Sequence, residues 1–221
     1  MKLLTGYYCS DASDAALVLV RGKRVKDELP VVLAGVWEKN GCDTKGQARN
    51  LGDILLEWFE EQGMPVCAQK DAGKSIKAMG KAYLKWYESQ GRSQLDGGLD
   101  GGKAAWSILV SVGDECFYAW NGDAEIHLLN VCFNRLNERK LSRYTEGMQL
   151  EYAGMEPGVG VLLGTKGFGA CLQEKKLKEC LAVSSMEYNE QLGRHLKEAV
   201  NAVVEKGAMH PTVVLVVTKE E

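Results

Sequence analysis

The sequence predicts a layered α/β or α+β sandwich, and three observations carry that expectation. Two amphipathic helical patterns precede a central pair of strand-like runs, and a third precedes a final apolar strand. Strand-like segments are joined mostly through turns, with no helix inserted regularly between them, which disfavours a doubly wound parallel sheet. The central runs, Ser107 to Val112 and Cys116 to Asn121, meet at the glycine-acidic turn Gly113-Asp114-Glu115, and a second Gly-Asp pair, Gly122-Asp123, precedes Ala124 to Leu129.

Taken in order, Ala16 to Val20 and Leu29 to Val36 read as early strands separated by the charged turn Arg21 to Glu28. Ala48 to Glu61 predicts a helix, because Leu51, Ile54, Leu55, Trp58 and Phe59 form one apolar stripe while Asp53, Glu57 and Glu60 lie largely away from it. Gly63 and Pro65 are read as its stop. A second helix is expected from Ala72 to Gln90, where Ile76, Met79, Tyr83, Leu84 and Tyr87 recur at helical intervals with lysines between them. Gly91 then opens a polar connection that carries five glycines through Gly102. After the hairpin, Leu150 to Tyr152 and Val159 to Leu163 read as short strands, and Glu174 to Ala182 as a helix. Asn189 to Lys206 is the third strong helix, with Leu192, Leu196, Ala199, Val200 and Val203 on its inner face. Pro211 suits the first residue of a last strand, Thr212 to Val217, since its missing amide costs nothing there. No internal repeat is evident, and no low-complexity linker forces a domain boundary.

The 221-residue chain is long enough to bury a substantial core, so a single domain over residues 1–221 is expected. A formal charge of -3 gives no general attraction to nucleic acid or to an acidic membrane surface. The start of the chain lacks the apolar core of a signal peptide, and no apolar run approaches the roughly 18 residues of a membrane span. A cytoplasmic setting follows as the expectation. The seven cysteines are widely spaced and include no Cys-x-x-Cys pair, which argues against a disulfide framework or a zinc knuckle and for reduced core residues.

With these elements placed, the chain resembles the PP2C-like, or PPM, family of metal-dependent serine/threonine protein phosphatases. In that family a glycine-containing turn precedes a hairpin whose second strand leads into Gly-Asp-Ser-Arg. Here Gly101-Gly102-Lys103-Ala104-Ala105 precedes Trp106 to Val112, and Gly122-Asp123-Ala124-Glu125 occupies the signature. The resemblance covers almost the whole chain. It implies a four-layer α/β/β/α sandwich, two mainly antiparallel sheets flanked by helices.

The residues that should hold metal are replaced. Asp14 falls where the family's early Asn-Glu-Asp motif has its aspartate, with Ala12-Ser13 in place of Asn-Glu. Gly35, in Leu33-Ala34-Gly35-Val36-Trp37, occupies the position of the principal metal-bridging aspartate, and Gly46-Gln47 stands for the Gly-Glu-like turn after it. Lys166, in Thr165-Lys166-Gly167-Phe168, stands where Ser-Asp-Gly-Leu has its aspartate, and Met209 of Met209-His210-Pro211-Thr212 stands at the third carboxylate.

Metal-assisted phosphate hydrolysis needs hard oxygen ligands that hold ions, orient water and offset phosphoryl charge. Glycine offers no side-chain oxygen, and a methionine thioether suits magnesium or manganese poorly. A lysine about 4 Å from a divalent ion, at an effective dielectric of about 20, would repel it on the order of 8 kcal/mol. The sequence is therefore expected to be a bacterial-type PP2C-like pseudophosphatase, without cofactor, that acts in protein recognition or regulation with a protein partner, including a phosphoprotein. Asp14, Asp123, Lys166 and His210 are the residual-site residues. The alternative is a divergent metal-dependent phosphoserine/phosphothreonine protein phosphatase using Mg or Mn, with a site rebuilt from Asp14, Asp114, Glu115, Asp123 or Glu125.

Other patterns are weaker. Gly97 to Ala104 approaches a phosphate-binding loop, but Ala104 replaces the hydroxyl that would meet magnesium and a strand follows. His127, His195 and His210 form no recognisable ligand spacing, and no cysteine-histidine-acid arrangement specifies a nucleophile. Trp37 is weighed as a partly exposed residue that fills vacated ion space or anchors a partner, against plain core packing.

Overall fold

The structure, a computed structural model, describes residues 2–9, 15–24, 29–39, 52–67, 71–95, 104–132, 135–165, 168, 189–204 and 212–220. Ten strands form two five-stranded sheets. The strands are β1 (Lys2–Cys9), β2 (Ala15–Arg24), β3 (Pro30–Lys39), β4 (Ala104–Val112), β5 (Glu115–Gly122), β6 (Glu125–Cys132), β7 (Arg135–Lys140), β8 (Thr145–Gly154), β9 (Val159–Gly164) and β10 (Thr212–Lys219). One sheet has the order β1-β10-β9-β6-β7, the other β2-β3-β4-β5-β8, and every pairing is antiparallel.

Side-chain alternation splits each central strand between two cores. Val31, Leu33 and Trp37 of β3, with Trp106, Ile108, Val110 and Val112 of β4, pack against helices. Their neighbours Val32, Ala34, Val36 and Leu109 face the other sheet, meeting Ile126, Val161, Leu163, Val214 and Val216. Continuous apolar runs such as Val159 to Leu163 are the consequence of being covered on both faces. A third cluster joins the outer face of the first sheet to a helix through Leu4, Leu129, Leu162, Leu192, Leu196 and Leu215. The result is the four-layer α/β/β/α sandwich with two antiparallel sheets.

Among the described residues, the helical layer over the second sheet has two members. In α1 (residues 52–66) a π-helical turn, Phe59–Gly63, runs into a last α-turn, Met64–Val66. Gly63 and Pro65 therefore do not stop this helix. Pro65 sits within the first two positions of the final turn, where a missing amide breaks no bond. In α2 (residues 72–95) the α-helix Ala72–Trp86 passes through a second π-helical turn, Tyr87–Gly91, into Arg92–Leu95. Asp71 caps its start, its carboxylate accepting from the Lys74 amide at 3.1 Å. The helix outlasts the expected end at Gln90 because Leu95 is fully buried in the same core. On the opposite side, α3 (Asn189–Val204) covers the first sheet.

Other expectations shift at their boundaries. Arg21 to Arg24 continue β2 instead of turning, paired with Leu33 back to Pro30. β3 runs to Lys39 instead of ending near Trp37, because it hydrogen-bonds on both sides, to β2 and β4. Residues 48–51, 174–182 and 205–206, to which helix had been assigned, lie outside the described residues. Among the described residues, no helix is long and apolar enough to cross a membrane.

Candidate functional site

Strand register brings several strand ends into line on each sheet. On the first sheet Cys9 pairs with Thr212, Val213 with Gly164, and Gly164 with Glu125. On the second, Ala15 pairs with Glu38, Lys39 with Ala104, and Trp106 with Asn121. Asp14, Lys166, Met209 and His210, four of the candidate residues, lie outside the described ones.

The strand ends themselves are closely tied. The Thr212 amide donates to the Thr165 hydroxyl at 2.9 Å, and the Thr165 amide donates to the Thr212 carbonyl at 3.0 Å. The Cys9 thiol and the Thr212 hydroxyl share a hydrogen bond of 3.1 Å. Phe168 is fully buried, and its amide donates to the Thr165 carbonyl at 3.2 Å.

Gly35 lies inside β3, opposite Leu19 on one side and Ile108 on the other. Its position faces the helical layer, in register with Leu33 and Trp37, and not the space between the sheets. A β-carbon there would stand 2.6 Å from the Trp37 ring. The neighbouring positions that do face the opposite sheet are Val32, Ala34 and Val36. Residues 31–37 thus present no carboxylate to the inter-sheet space, whether the family motif is aligned on Gly35 or one residue to either side. Trp37 itself is buried to 1% exposure and packs in the helix-side core, so it is neither partly exposed nor a partner anchor. The other four tryptophans are buried too.

Asp123 occupies the turn between β5 and β6, after Gly122, whose φ of 68° favours glycine. Glu125, in the signature's arginine position, opens β6 and shares the outward parity of His127 and Leu129. Its carboxylate pairs with Lys140 Nζ at 3.2 Å and with His127 Nε2 at 3.3 Å, while His127 Nδ1 meets Glu138 at 2.5 Å. His127 is buried between two carboxylates, so each ring nitrogen serves a different partner and the three groups do not converge on a point. Glu125 is thereby engaged in a structural network. Ser142 secures the same corner, donating to the Ala124 carbonyl at 2.8 Å and accepting from the Ile126 amide at 2.9 Å.

Asp114 and Glu115 lie at the β4–β5 turn, at the opposite end of β5 from Gly122. Eight to nine strand steps of roughly 3.3 Å place them on the order of 25 Å or more from Asp123, too far to share a metal. His195 lies on α3, its Nδ1 3.9 Å from Glu198. Among the described residues, no group of three His, Cys, Asp or Glu side chains could hold a metal ion. The described side chains therefore do not fit the ion pair that the fold family carries.

Burial governs the titratable groups between the sheets. It pushes the Cys116 thiol up to about 12, against only partial relief from the hydrogen bond that the thiol donates to the Ala153 carbonyl. Tyr118 is also raised, first by burial and then by donating its hydroxyl to the Glu151 carboxylate at 2.8 Å. The described free thiols are Cys9, Cys67 and Cys116, and the latter two are buried, matching the reading as core residues.

One local repeat was overlooked in the sequence. Trp58-Phe59-Glu60-Glu61-Gln62-Gly63 and Trp86-Tyr87-Glu88-Ser89-Gln90-Gly91 share Trp, an aromatic, Glu, Gln and Gly at the same spacing, and each spans one of the two π-helical turns. The signal was present in the residues. The His127 network was not, since it depends on the register of β6 against β7.

No family model matches the sequence, and no curated protein matches it. Solved structures do match. A serine/threonine phosphatase of S. agalactiae aligns at a TM-score of 0.60 and 11% identity, over 99% of this chain and 99% of that one. The serine/threonine phosphatase Stp1 from Staphylococcus aureus aligns at 0.63 and 8% identity, over 100% and 96%. The PP2C phosphatase domain of SpoIIE from Bacillus subtilis, solved with a fragment of its regulatory domain, aligns at 0.57 and 13% identity, over 98% of this chain and 63% of that one. The chain therefore has the PP2C-like fold that its motif order implied. At such identities the likeness establishes the fold alone.

Proposed function

We propose that this chain is a noncatalytic PP2C-like domain, a pseudophosphatase, that acts in protein recognition or regulation. The observation that carries this reading is residues 31–37 of β3, whose positions toward the opposite sheet are Val32, Ala34 and Val36, with Gly35 turned away beneath Trp37. Over these residues the strand offers apolar packing, whereas metal-dependent hydrolysis needs hard oxygen ligands. The engagement of Glu125 by Lys140 and His127 removes one of the carboxylates from which a site could be rebuilt. Lys166, in place of an aspartate, is assigned to attracting the phosphate of a phosphoprotein partner without hydrolysing it. A cytoplasmic setting belongs to the same reading and is supported by the free thiols of Cys9, Cys67 and Cys116.

The test is hydrolysis of a phosphate ester and of a phosphoserine peptide with excess Mg or Mn, alongside binding of the same peptide. Binding weakened by Lys166→Ala, with turnover at background, supports the proposal. Divalent-dependent turnover abolished by Asp14→Ala or Asp123→Ala would overturn it in favour of a rewired phosphatase.

A further inference from the structure

The two helices over the second sheet segregate charge by sign. Every charged residue of α1 is acidic, Asp53, Glu57, Glu60 and Glu61, and all are exposed. On α2, Lys74, Lys77, Lys81, Lys85 and Arg92 are exposed, and the sole carboxylate within the helix is Glu88. Asp53, Glu57 and Glu61 follow one another at intervals of four, as do Lys77, Lys81 and Lys85, so each helix presents a single-sign stripe about 12 Å long. A solvated helix gains by mixing signs at that spacing, whereas here like charges meet and repel. The stripes do not relieve each other within the molecule, since those six residues have no ion-pair partner among the described residues.

The helices are antiparallel neighbours in close register. The Trp58 ring lies 4.9 Å from the Tyr83 ring and 6.0 Å from the Trp86 ring, while Gly63, further along α1, lies against Met79, further back on α2. Glu57 is therefore level with Lys85, and Glu61 with Lys81. Ala78 and Ala82 stand one and two turns before Trp86 and are partly exposed, so small side chains lie between the stripes.

We propose that this face pairs with a second copy of the chain. A two-fold axis that runs between the helices, parallel to them, lays α1 of each copy along α2 of the other. Levels along the helices are preserved by that rotation, so Glu57 meets Lys85 and Glu61 meets Lys81 across the interface, twice over. An isologous contact requires a patch complementary to itself, and an acidic helix beside a basic one at matched levels is such a patch. With α1 about 22 Å long and two helices about 20 Å wide, the face covers roughly 450 Å² per copy. That is about half of what a standard stable interface buries per partner, so the dimer is weak and salt-sensitive. The assignment goes beyond the pseudophosphatase reading and does not rest on it, because it uses no residue between the sheets.

The experiment is sedimentation velocity of the full chain over a concentration series, at about 50 mM and about 500 mM NaCl. At the lower salt a dimer is expected with a Kd on the order of 100 µM, and at the higher salt the Kd should rise about tenfold or more. Lys81→Glu/Lys85→Glu and Glu57→Lys/Glu61→Lys should each be monomeric at low salt. An equimolar mixture of the two should form a heterodimer, and the chain that carries all four changes should dimerise again. Glu190→Lys, on α3 at the other side of the molecule, should leave the Kd unchanged. The changed residues are all exposed, so the variants retain the fold, and the salt series on the unaltered chain decides independently of them. A monomer at both salts, a dimer indifferent to salt, a dimer that persists in either double variant, or a mixture that stays monomeric would each overturn the assignment.

Discussion

The indole of Trp37 lies across Gly35, two residues back on the same face of β3, with ring atoms 2.6 and 2.8 Å from where a β-carbon would stand. The two residues are one packing unit: the missing side chain at 35 makes room for the largest side chain at 37. Gly35→Ala should therefore destabilise the protein by about 1–3 kcal/mol in urea unfolding, the range of an overpacked core. Gly35→Asp should cost more, since it also places a carboxylate against apolar helices, and it should confer no stabilisation by Mg or Mn. A metal-dependent rise in Tm for Gly35→Asp would show that this position does reach an ion site.

Glu125 and Lys140 test the network on the outer face of the first sheet. Glu125→Ala leaves buried His127 short of one partner and should cost about 1–3 kcal/mol. Lys140→Ala removes a side chain that is 48% exposed and should cost below about 1 kcal/mol. Equal losses in chemical denaturation would mean that the ion pair to Lys140, and not the contact with His127, dominates.

The buried Cys116 thiol makes an alkaline prediction. Its pKa rises from an ordinary 9.0 to about 12 on folding, so the folded protein retains a proton that the unfolded chain releases. Stability from this group is fully present below pH 9 and is lost as the pH climbs toward 12, at most about 4 kcal/mol in all. The stability gap between the native protein and Cys116→Ala should be flat below about pH 9 and shrink above it. Tyr118, raised by burial and by Glu151, adds a loss of the same sign at still higher pH.

The twin hexapeptides differ in tightness, and alanine should read the difference. A β-carbon at Gly91 would press 2.8 Å from the Trp86 ring, whereas one at Gly63 finds ordinary contact at 3.4 Å from Trp58. Gly91→Ala should cost about 1–3 kcal/mol. Gly63→Ala should be neutral or stabilise by up to about 1 kcal/mol, through the lower entropy of the unfolded chain. Thermal unfolding of the pair decides it.

Much of the architecture was legible because it is written in local periodicity. The stripe from Ile54 to Phe59, the recurrence from Ile76 to Tyr87 and the inner face of α3 each encode one buried side. Apolar runs bounded by Gly-Asp turns encode β4 and β5, and the run after Pro157-Gly158 encodes β9. β7, Arg135–Lys140, was not recognised because it is an edge strand of almost wholly polar residues, held by backbone pairing to β6. β1 was also missed: its core-facing positions include Gly6, so alternation is broken where the strand packs most closely on Leu192 of α3.

For the site, residue identity alone determined that glycine, lysine and methionine cannot stand in for hard oxygen ligands, because ligand chemistry belongs to the side chain wherever it lies. Tertiary structure alone decided which way the remaining groups point. A strand's parity turns Gly35 toward the helices and Val32, Ala34 and Val36 toward the opposite sheet. Antiparallel register delivers Glu138 to His127 and Lys140 to Glu125, and the length of β5 carries Asp114 and Glu115 far from Asp123. Such placements arise from pairings between residues distant in the chain, which a local pattern does not encode.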